Sequence, residues 1–132
     1  MSSQSLDELS QQVIAACIDV HRELGPGLLE SAYEACLAKE LLLRSIPFRR
    51  QIPVPLRYKG ELVEAGFRVD LLVDDRLILE LKADHGPVNL ARAQLLTYLK
   101  LMGLHLGLVV NFNQLRLVDG LTQVVLDFPE SP

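Results

Sequence analysis

The sequence predicts a single α/β domain in which a mixed central β-sheet of about five strands is flanked by helices. Its 132 residues are the usual length of one domain, and 49% of them are hydrophobic, which is enough for a buried core. Stretches with apolar residues every three or four positions, typical of amphipathic helices, alternate with apolar runs bounded by turn residues, typical of strands. We expect the domain over residues 5–127 and flexible ends over residues 1–4 and 128–132.

Two helices are predicted before the first strand. Ser5 and Glu8 form the pattern of a capping box, which indicates where the first helix begins. Apolar residues then recur at steps of three and four, at Leu6, Leu9, Val13, Cys17, Val20 and Leu24. The break Gly25-Pro26-Gly27 ends this helix, and a second helix is predicted from Leu28 to Arg44.

Most of the remaining chain is predicted to form strands. An alternating pattern indicates an edge strand or an irregular strand over Phe48–Tyr58, because its prolines cannot donate hydrogen bonds to a neighbouring strand. A third helix is predicted from Val88 to Met102, ending at Gly103. The other strands are expected over Glu61–Val73, Arg76–Lys82 and Leu104–Phe112, with a closing hairpin of Leu115–Val118 and Thr122–Leu126.

The composition argues against several classes of protein. The chain lacks an uncharged apolar run of roughly 18 residues, so we expect no membrane-spanning helix. No secretory signal is visible at the N-terminus, and we expect a cytoplasmic protein. Cys17 and Cys36 do not have the spacing of a zinc site or a disulfide framework. We expect both to be buried free thiols in a reducing cytosol.

The charge distribution leaves nucleic-acid binding open. The formal net charge of −4 does not indicate it. A basic strip is nevertheless present, in which no acidic residue interrupts the five cations Arg44, Arg49, Arg50, Arg57 and Lys59. These cations would either contact phosphates or protect a solvated strand edge from pairing with another chain. Charge alone favours the strand edge.

The second and third predicted strands carry charged residues whose positions depend on how the strands pair. A three-residue turn over residues 74–76 sets apolar residues opposite one another on one face: Val73 with Leu77, Leu71 with Leu79, and Val69 with Leu81. A slip by one residue would mix charged and apolar faces, so the pattern selects this register. The other face then sets Asp70 opposite Glu80 and Arg68 opposite Lys82.

Two facing carboxylates repel each other, which raises the pKa of one of them unless a cation neutralises the pair. Lys82, two residues after Glu80 on the same face, would supply part of that charge. A divalent cation would supply more, and hard oxygen ligands select Mg²⁺ or Mn²⁺. From the strands alone, a network of ion pairs on a solvated face explains these residues as well as a metal site does.

Two motifs resemble those of the PD-(D/E)XK nuclease superfamily. Asp70 followed by Glu80-Leu81-Lys82 resembles its D…(D/E)-x-K core, although Val69 stands where the superfamily name has proline. Gln94 and Tyr98, on the next predicted helix, resemble the Q-x-x-x-Y motif of the recombination-type exonuclease branch. The order of these motifs on hairpin and helix implies a restriction-endonuclease-like (PD-(D/E)XK) fold.

A third motif resembles a narrower group. Gly27, Glu30 and Tyr33 match the pattern that names the GxxExxY proteins, a small bacterial family. The resemblance extends through most of the chain, roughly residues 9–126. From the residues alone, Glu30 is also explained by its place in the first turn of a helix, where the helix dipole favours a carboxylate.

The resemblance implies a Mg²⁺-dependent nuclease acting on DNA, with Mn²⁺ as a substitute ion. Asp70, Glu80 and the Leu81 carbonyl would bind the metal, and Glu30 would reach it directly or through water. Lys82 would hold or deprotonate the attacking water. These four side chains, with the Leu81 carbonyl, are the predicted catalytic and metal-binding groups.

Gln94, Tyr98 and Arg68 are the predicted substrate-binding residues. Gln94 and Tyr98 are four residues apart, so they share a helix face and would anchor a substrate phosphate or orient Lys82. The residues themselves also fit structural roles: a helix–sheet hydrogen bond for Gln94, and a place at the core edge with a hydrated hydroxyl for Tyr98.

Two functions follow from these patterns. The first is the nuclease, which in a small acidic protein would bind DNA weakly or with help from a homodimer or a protein partner. The alternative is a non-catalytic interaction or regulatory module that retains the nuclease fold. The net charge favours the module, whereas the facing carboxylates favour the nuclease, because a module without metal gains nothing from them.

Overall fold

The computed structural model describes residues 4–127 and begins with two packed helices. The helix α1 (Leu6–Leu24) is capped by Ser5, whose hydroxyl oxygen accepts a hydrogen bond from the backbone N–H of Glu8 at 3.1 Å. It ends at Gly25, and α2 (Glu30–Leu43) follows. The second helix is slightly shorter than predicted, because Leu29 is its extended N-terminal capping residue.

Tyr33 fixes the bend between these helices and ties it to the rest of the molecule. Its hydroxyl donates to the Gly25 carbonyl at 2.6 Å and accepts from the Leu28 N–H at 3.2 Å. Its buried ring stacks on Phe112, with centroids 4.3 Å apart and planes 9° from parallel. Gly27 lies in the same bend with φ of +100°, a conformation that favours glycine. The fold therefore explains the glycine and the tyrosine of the G-x-x-E-x-x-Y pattern.

Seven strands follow within the described residues, namely β1 (Phe48–Pro53), β2 (Leu56–Tyr58), β3 (Glu61–Val63), β4 (Arg68–Val73), β5 (Leu77–Lys82), β6 (Leu106–Asn111) and β7 (Leu121–Val125). Five of them form one sheet in the order β1-β4-β5-β6-β7. Neighbours are antiparallel except β5 and β6, which are parallel and joined by the crossover helix α3 (Val88–Met102). The predicted mixed sheet and the bounds of the third helix are confirmed.

Helices cover the two faces of this sheet. The first core cluster joins α1 and α2 to the residues Leu71, Val73, Leu77, Leu79 and Leu81. The second cluster joins α3 to Val69, Leu72, Ile78 and Val109. No helix of the described residues is long and apolar enough to cross a membrane.

Two predicted strands are each divided in the structure. The stretch Phe48–Tyr58 forms β1 and β2, because Pro53 and Pro55 lack the N–H groups that would continue the pairing. The stretch Glu61–Val73 forms β3 and β4, with Gly66 at φ of +74° in the connection. The strands β2 and β3 pair only with each other, as a separate two-stranded hairpin.

The predicted closing hairpin is wrong in its first strand. Residues 117–120 form a 3-10 helix, and β7 pairs with β6 instead. Leu117 enters the core from this short helix and is buried. A side chain on Gly120 would place its Cβ 2.1 Å from the Asn111 carbonyl oxygen, so only glycine fits where the 3-10 helix meets the end of β6.

One of the two thiols also differs from the prediction. Cys17 is buried as expected, and burial raises its pKa to about 12. Cys36 is exposed. The buried stripe of α2 runs through Tyr33, Leu37 and Leu41, and Cys36 lies about 100° round the helix from Leu37. Of the predicted flexible ends, residues 1–3 and 128–132 lie outside the described residues.

Replacing Tyr33 with phenylalanine should lower the free energy of unfolding by roughly 1–3 kcal/mol, since it removes the hydroxyl that bonds Gly25 and Leu28 but keeps the ring. Urea denaturation measures this change. Tyr58→Phe is the matched control, because Tyr58 is 65% exposed on β2, and it should change stability by less than about 0.5 kcal/mol. Equal stability of the two variants would show that Tyr33 does not hold the bend through its hydroxyl.

Candidate active site

The turn between β4 and β5 sets the register of the site. Leu71, Leu72 and Val73 pair with Leu79, Ile78 and Leu77, respectively, as the apolar pattern predicts. Asp74 and Asp75 occupy left-handed conformations at φ of 52° and 56°, which acidic residues tolerate in tight turns. The three-residue turn is therefore confirmed, and so is the predicted register over these three pairs.

Beyond Leu71 and Leu79, the carboxylates of the two strands bond each other's backbone. The Asp70 carboxylate accepts a hydrogen bond from the Leu81 N–H at 2.7 Å. The Glu80 carboxylate accepts from the Asp70 N–H at 3.2 Å. Each side chain thus satisfies a backbone donor of the opposite strand, and both carboxyl groups are held at the same end of the β4–β5 pair.

Regular alternation in β4 breaks at Asp70. Val69 packs with Leu72 in the cluster under α3, so the prediction that Val69 shares the face of Leu71 is wrong. Gln51 lies opposite this point in β1 and has φ of 52°, a left-handed conformation that is rare within a strand. The local distortion reorients the backbone on both sides of Asp70, which a strict two-residue period does not describe.

The two carboxyl groups lie in surroundings that disfavour their charged forms. Glu80 is only 6% exposed, and its desolvation together with the charge of Asp70 raises its pKa to about 8. Desolvation also raises the pKa of Asp70, and the nearby Glu34 adds to the effect. The charge of Lys82 lowers both pKa values. The surrounding positive charge thus falls short of neutralising the pair.

Lys82 and Glu30 lie in the same group of charges. Glu30, in the first turn of α2, has a raised pKa because of desolvation and the charge of Asp70, while Lys82 opposes both. Lys82 is half-buried, and among residues 4–127 it forms no ion pair of 4 Å or less. The structure therefore brings the four predicted catalytic side chains within electrostatic reach of one another.

Direct contacts connect Lys82 with the bend fixed by Tyr33. Phe112, which stacks on Tyr33, donates its backbone N–H to the Lys82 carbonyl at 2.8 Å. Tyr33 lies one turn after Glu30 on α2. A chain of direct contacts thus connects the helix that carries Glu30 with the strand that carries Lys82.

The carboxylates do not form a preassembled cage for a metal ion. Within the described residues, no group of three His, Cys, Asp or Glu side chains lies close enough to hold one. Asp70 and Glu80 do fit Mg²⁺, which is commonly held by one or two carboxylates while keeping several waters. Desolvation and nearby negative charge raise the pKa values of both groups, and a bound divalent cation would favour their charged forms. Leu81, the predicted backbone ligand, lies next to the Asp70 carboxylate, because its N–H donates a hydrogen bond to it.

The helix α3 brings Tyr98 near the carboxylates, and Gln94 bonds to Tyr98. The Gln94 amide donates to the Tyr98 hydroxyl at 3.0 Å. Desolvation raises the pKa of Tyr98, and the charges of Glu80 and Asp70 raise it further. The tyrosine hydroxyl is thus close enough to both carboxylates to feel their charge.

Arg68 lies at the edge of this group. Its guanidinium donates to the Gln51 carbonyl at 3.1 Å and is exposed. In the part of the chain that the structure describes, Arg68 forms no ion pair with a carboxylate. The network of ion pairs that would explain Asp70 and Glu80 without a metal is therefore not formed.

Gln51 and Glu34 lie near Asp70, and no pattern in the sequence indicates either of them. Gln51 donates its amide to Glu34 at 2.7 Å and to Asp70 at 3.4 Å, thereby connecting α2 with β4. Arg50 pairs with Glu34 at 2.9 Å. The irregular conformation of Gln51 brings its side chain to Asp70, and irregular backbone cannot be inferred from periodicity.

Most of the basic strip is neutralised. Three of its cations form ion pairs: Arg44 with Asp19 and Glu40, Arg49 with Asp75, and Arg50 with Glu34. Arg57 and Lys59 lie at the β2–β3 hairpin, and within residues 4–127 neither forms an ion pair of 4 Å or less. Of this strip, the cations that remain available thus lie at the β2–β3 hairpin.

A comparison with protein families agrees with this geometry. The family model of the PD-(D/E)XK nuclease superfamily matches residues 7–124, which is most of the chain. No curated protein and no solved structure matches the sequence. Nucleases of this superfamily act on nucleic acids and generally use divalent metal ions. With the five-stranded mixed sheet, the flanking helices and the paired carboxylates in place, the chain belongs to the PD-(D/E)XK nuclease superfamily.

Proposed function

We propose that the protein is a Mg²⁺-dependent nuclease that hydrolyses phosphodiester bonds of DNA. The observation that carries the proposal is the pairing of Asp70 and Glu80, two desolvated carboxyl groups held together by reciprocal bonds to the backbone. Such a pair is electrostatically costly on its own and favourable around a cation. Lys82, without a carboxylate partner in the described residues, lies on the next same-face position of β5.

Asp70, Glu80 and the Leu81 carbonyl are the groups that would hold the divalent ion, with Glu30 joining directly or through water. When bound, such an ion polarises a phosphoryl oxygen and stabilises negative charge on the leaving oxygen. Mg²⁺ suits these hard oxygen donors, and Mn²⁺ is the expected substitute.

The protein's own side chains provide the remaining functions. The Lys82 side chain attracts the scissile phosphate as an ammonium, and as a neutral amine it would hold the attacking water and accept its proton. Tyr98 accepts a hydrogen bond from Gln94, so its own proton remains available for a phosphate oxygen. Arg68, which is exposed at the start of β4, would contact a more distant phosphate.

Substrate binding is expected to be weak. The net charge is −4, and three cations of the basic strip are already paired. Within the described part of the chain, only Arg57 and Lys59 of this strip remain to neutralise phosphates, which together with the acidic balance implies low affinity or help from a second copy or a protein partner. We further propose a cytoplasmic location. We also propose that the chain belongs to the narrower GxxExxY group, and the bend that contains Gly27 and Tyr33 supports this membership.

The alternative is a non-catalytic interaction or regulatory module with a nuclease fold. Two observations favour it: the acidic balance of the chain and the lack of a three-carboxylate cluster among the described residues. A module has no need to bind metal at Asp70 and Glu80, so metal binding and cleavage distinguish the two functions.

With Mg²⁺, the purified protein should cleave DNA in an assay of single-stranded, duplex and branched substrates. Glu80→Ala should lower the rate by at least about 100-fold, because it removes one of the two central carboxylates. Glu64→Ala is the matched control, since Glu64 is exposed outside the site, and it should retain full activity. If none of the three substrates is cleaved, the proposed nuclease function is wrong.

Calorimetric titration with Mn²⁺ should show binding to the wild-type protein that Asp70→Asn abolishes. The amide keeps the size of the side chain but lacks the charge that a hard cation requires. Asp127→Asn, at an exposed position, should bind as the wild type does. A protein that binds no Mn²⁺ at millimolar concentration would support the module instead.

In the absence of metal, the stability of the wild-type protein should fall relative to Glu80→Gln as the pH rises. The pKa of Glu80 is raised from 4.5 to about 8, so between these values the folded state binds a proton that the unfolded state has lost. The stability difference between the two proteins should not change with pH below 4.5, and it should level off above about pH 8. Its size is on the order of a few kcal/mol, at ~1.4 kcal/mol per pKa unit.

Urea denaturation in a chelating buffer at several pH values measures this difference. Other titrating groups occur in both proteins, so comparing them isolates the contribution of Glu80. Parallel stability curves would show that Glu80 is not protonated preferentially in the folded state.

A further inference from the structure

A cleft of about 630 Å³ opens beside the proposed catalytic site. Lys82 and Gln94 line it, so a molecule bound there would adjoin the groups assigned to the scissile phosphate. The remaining lining residues come from three places: the loop after β5, the first turns of α3, and the region where β6, the 3-10 helix and β7 meet. Its size falls in the range of small-ligand pockets.

The walls of the cleft are fixed by specific contacts. The Asn111 side chain donates to the Asp84 carbonyl at 2.9 Å and accepts from the Asn113 N–H at 3.0 Å. On the other side, Gly120 approaches the Asn111 carbonyl so closely that a Cβ there would lie 2.1 Å from the oxygen. The end of β6 thus connects the loop after β5 with the start of β7, and the cleft is a built feature of the fold.

One wall of the cleft is apolar, and the other is polar. Pro87, Val88, Leu90 and Ala91 form the apolar wall, in which Val88 is 56% exposed and Leu90 is 69% exposed. The polar wall, formed where β6, the 3-10 helix and β7 meet, carries the side chains of Gln114, Asp119 and Thr122. Within residues 4–127 these three side chains form no hydrogen bond or ion pair, so they are available to a ligand.

The charges around the cleft select the kind of ligand. Lys82 supplies one positive charge, whereas Asp84 and Asp119 supply two negative charges. A phosphate in the body of the cleft would be repelled by these carboxylates. A neutral group with a flat apolar surface and several hydrogen-bonding atoms would match both walls.

We propose that this cleft binds one nucleoside of the substrate, the base and sugar next to the scissile phosphate. This inference rests on the proposed nuclease function, since it places the phosphate at Asp70, Glu80 and Lys82 and its neighbouring nucleoside in the cleft. The face of the base packs on the apolar wall, and the hydrogen-bonding edge of the base bonds the polar wall. The cleft thereby positions the phosphodiester bond relative to Lys82.

The test uses the four deoxynucleosides as probes, at up to about 10 mM, with the metal-free full chain labelled for NMR. Nucleosides lack phosphate, so their binding reports on the cleft without requiring catalysis. Amide signals of Ala91, Gly120 and Thr122 should shift for at least one nucleoside, whereas inorganic phosphate should not shift them. The absence of shifts with all four nucleosides would overturn the proposal even if the protein cleaves DNA.

Ala91→Phe should abolish these shifts, since the larger side chain would occupy the space beside the apolar wall. Ala93→Phe is the matched control, on an exposed position of the same helix, and it should bind as the wild type does. Nucleoside binding that persists in folded Ala91→Phe would overturn the assignment of the cleft.

Thr122→Val provides a second variant that retains the shape of the wall. Loss of its hydroxyl should weaken nucleoside binding by about threefold or more, and unchanged affinity would contradict a role for the polar wall. Failure of DNA cleavage with intact nucleoside binding would instead refute only the catalytic proposal.

Discussion

The reciprocal bonds between Asp70 and Glu80 determine the character of the whole site. A buried carboxylate requires a hydrogen-bond donor, and here each one finds it in the backbone of the facing strand. The same bonds prevent the two groups from moving apart, so their mutual repulsion persists in the folded protein. The fold therefore holds together two carboxyl groups whose joint ionisation it disfavours and which Lys82 only partly offsets. Such an arrangement is useful chiefly where a cation completes it.

The surrounding elements act to keep these charges in one place. Tyr33 fastens the start of α2, and its ring holds Phe112, whose backbone bonds Lys82. Glu30 at the start of α2 and Lys82 on β5 are thus positioned through one chain of packed groups. On the opposite face, α3 contributes Gln94 and Tyr98, whose hydroxyl feels the charge of both central carboxylates. Helices on both faces therefore converge on one end of the β4–β5 pair.

The sequence was sufficient where short-range rules decide the structure. The apolar pattern and an odd turn length determine the β4–β5 register, so the juxtaposition of Asp70 with Glu80 was predictable. Contacts that depend on irregular backbone or on segments far apart in the chain were not predictable from these rules. The left-handed Gln51, the side change at Val69 and the 3-10 helix before β7 leave no periodic signature. The cleft belongs to the same class, because its walls come from segments far apart in the chain.

The topology also explains why the cleft lies beside the site. The strands β5 and β6 are parallel, and their final residues, Lys82 and Asn111, are register partners. A parallel pair needs a crossover helix, and ligands in α/β sheets commonly bind outside the carboxyl ends of such strands. Lys82 therefore belongs to both features: its charge acts on the Asp70–Glu80 pair, and its side chain lines the cleft. A substrate that joins a charged phosphate to a neutral nucleoside matches this arrangement, in which a cation-binding region adjoins a cleft whose carboxylates disfavour a phosphate.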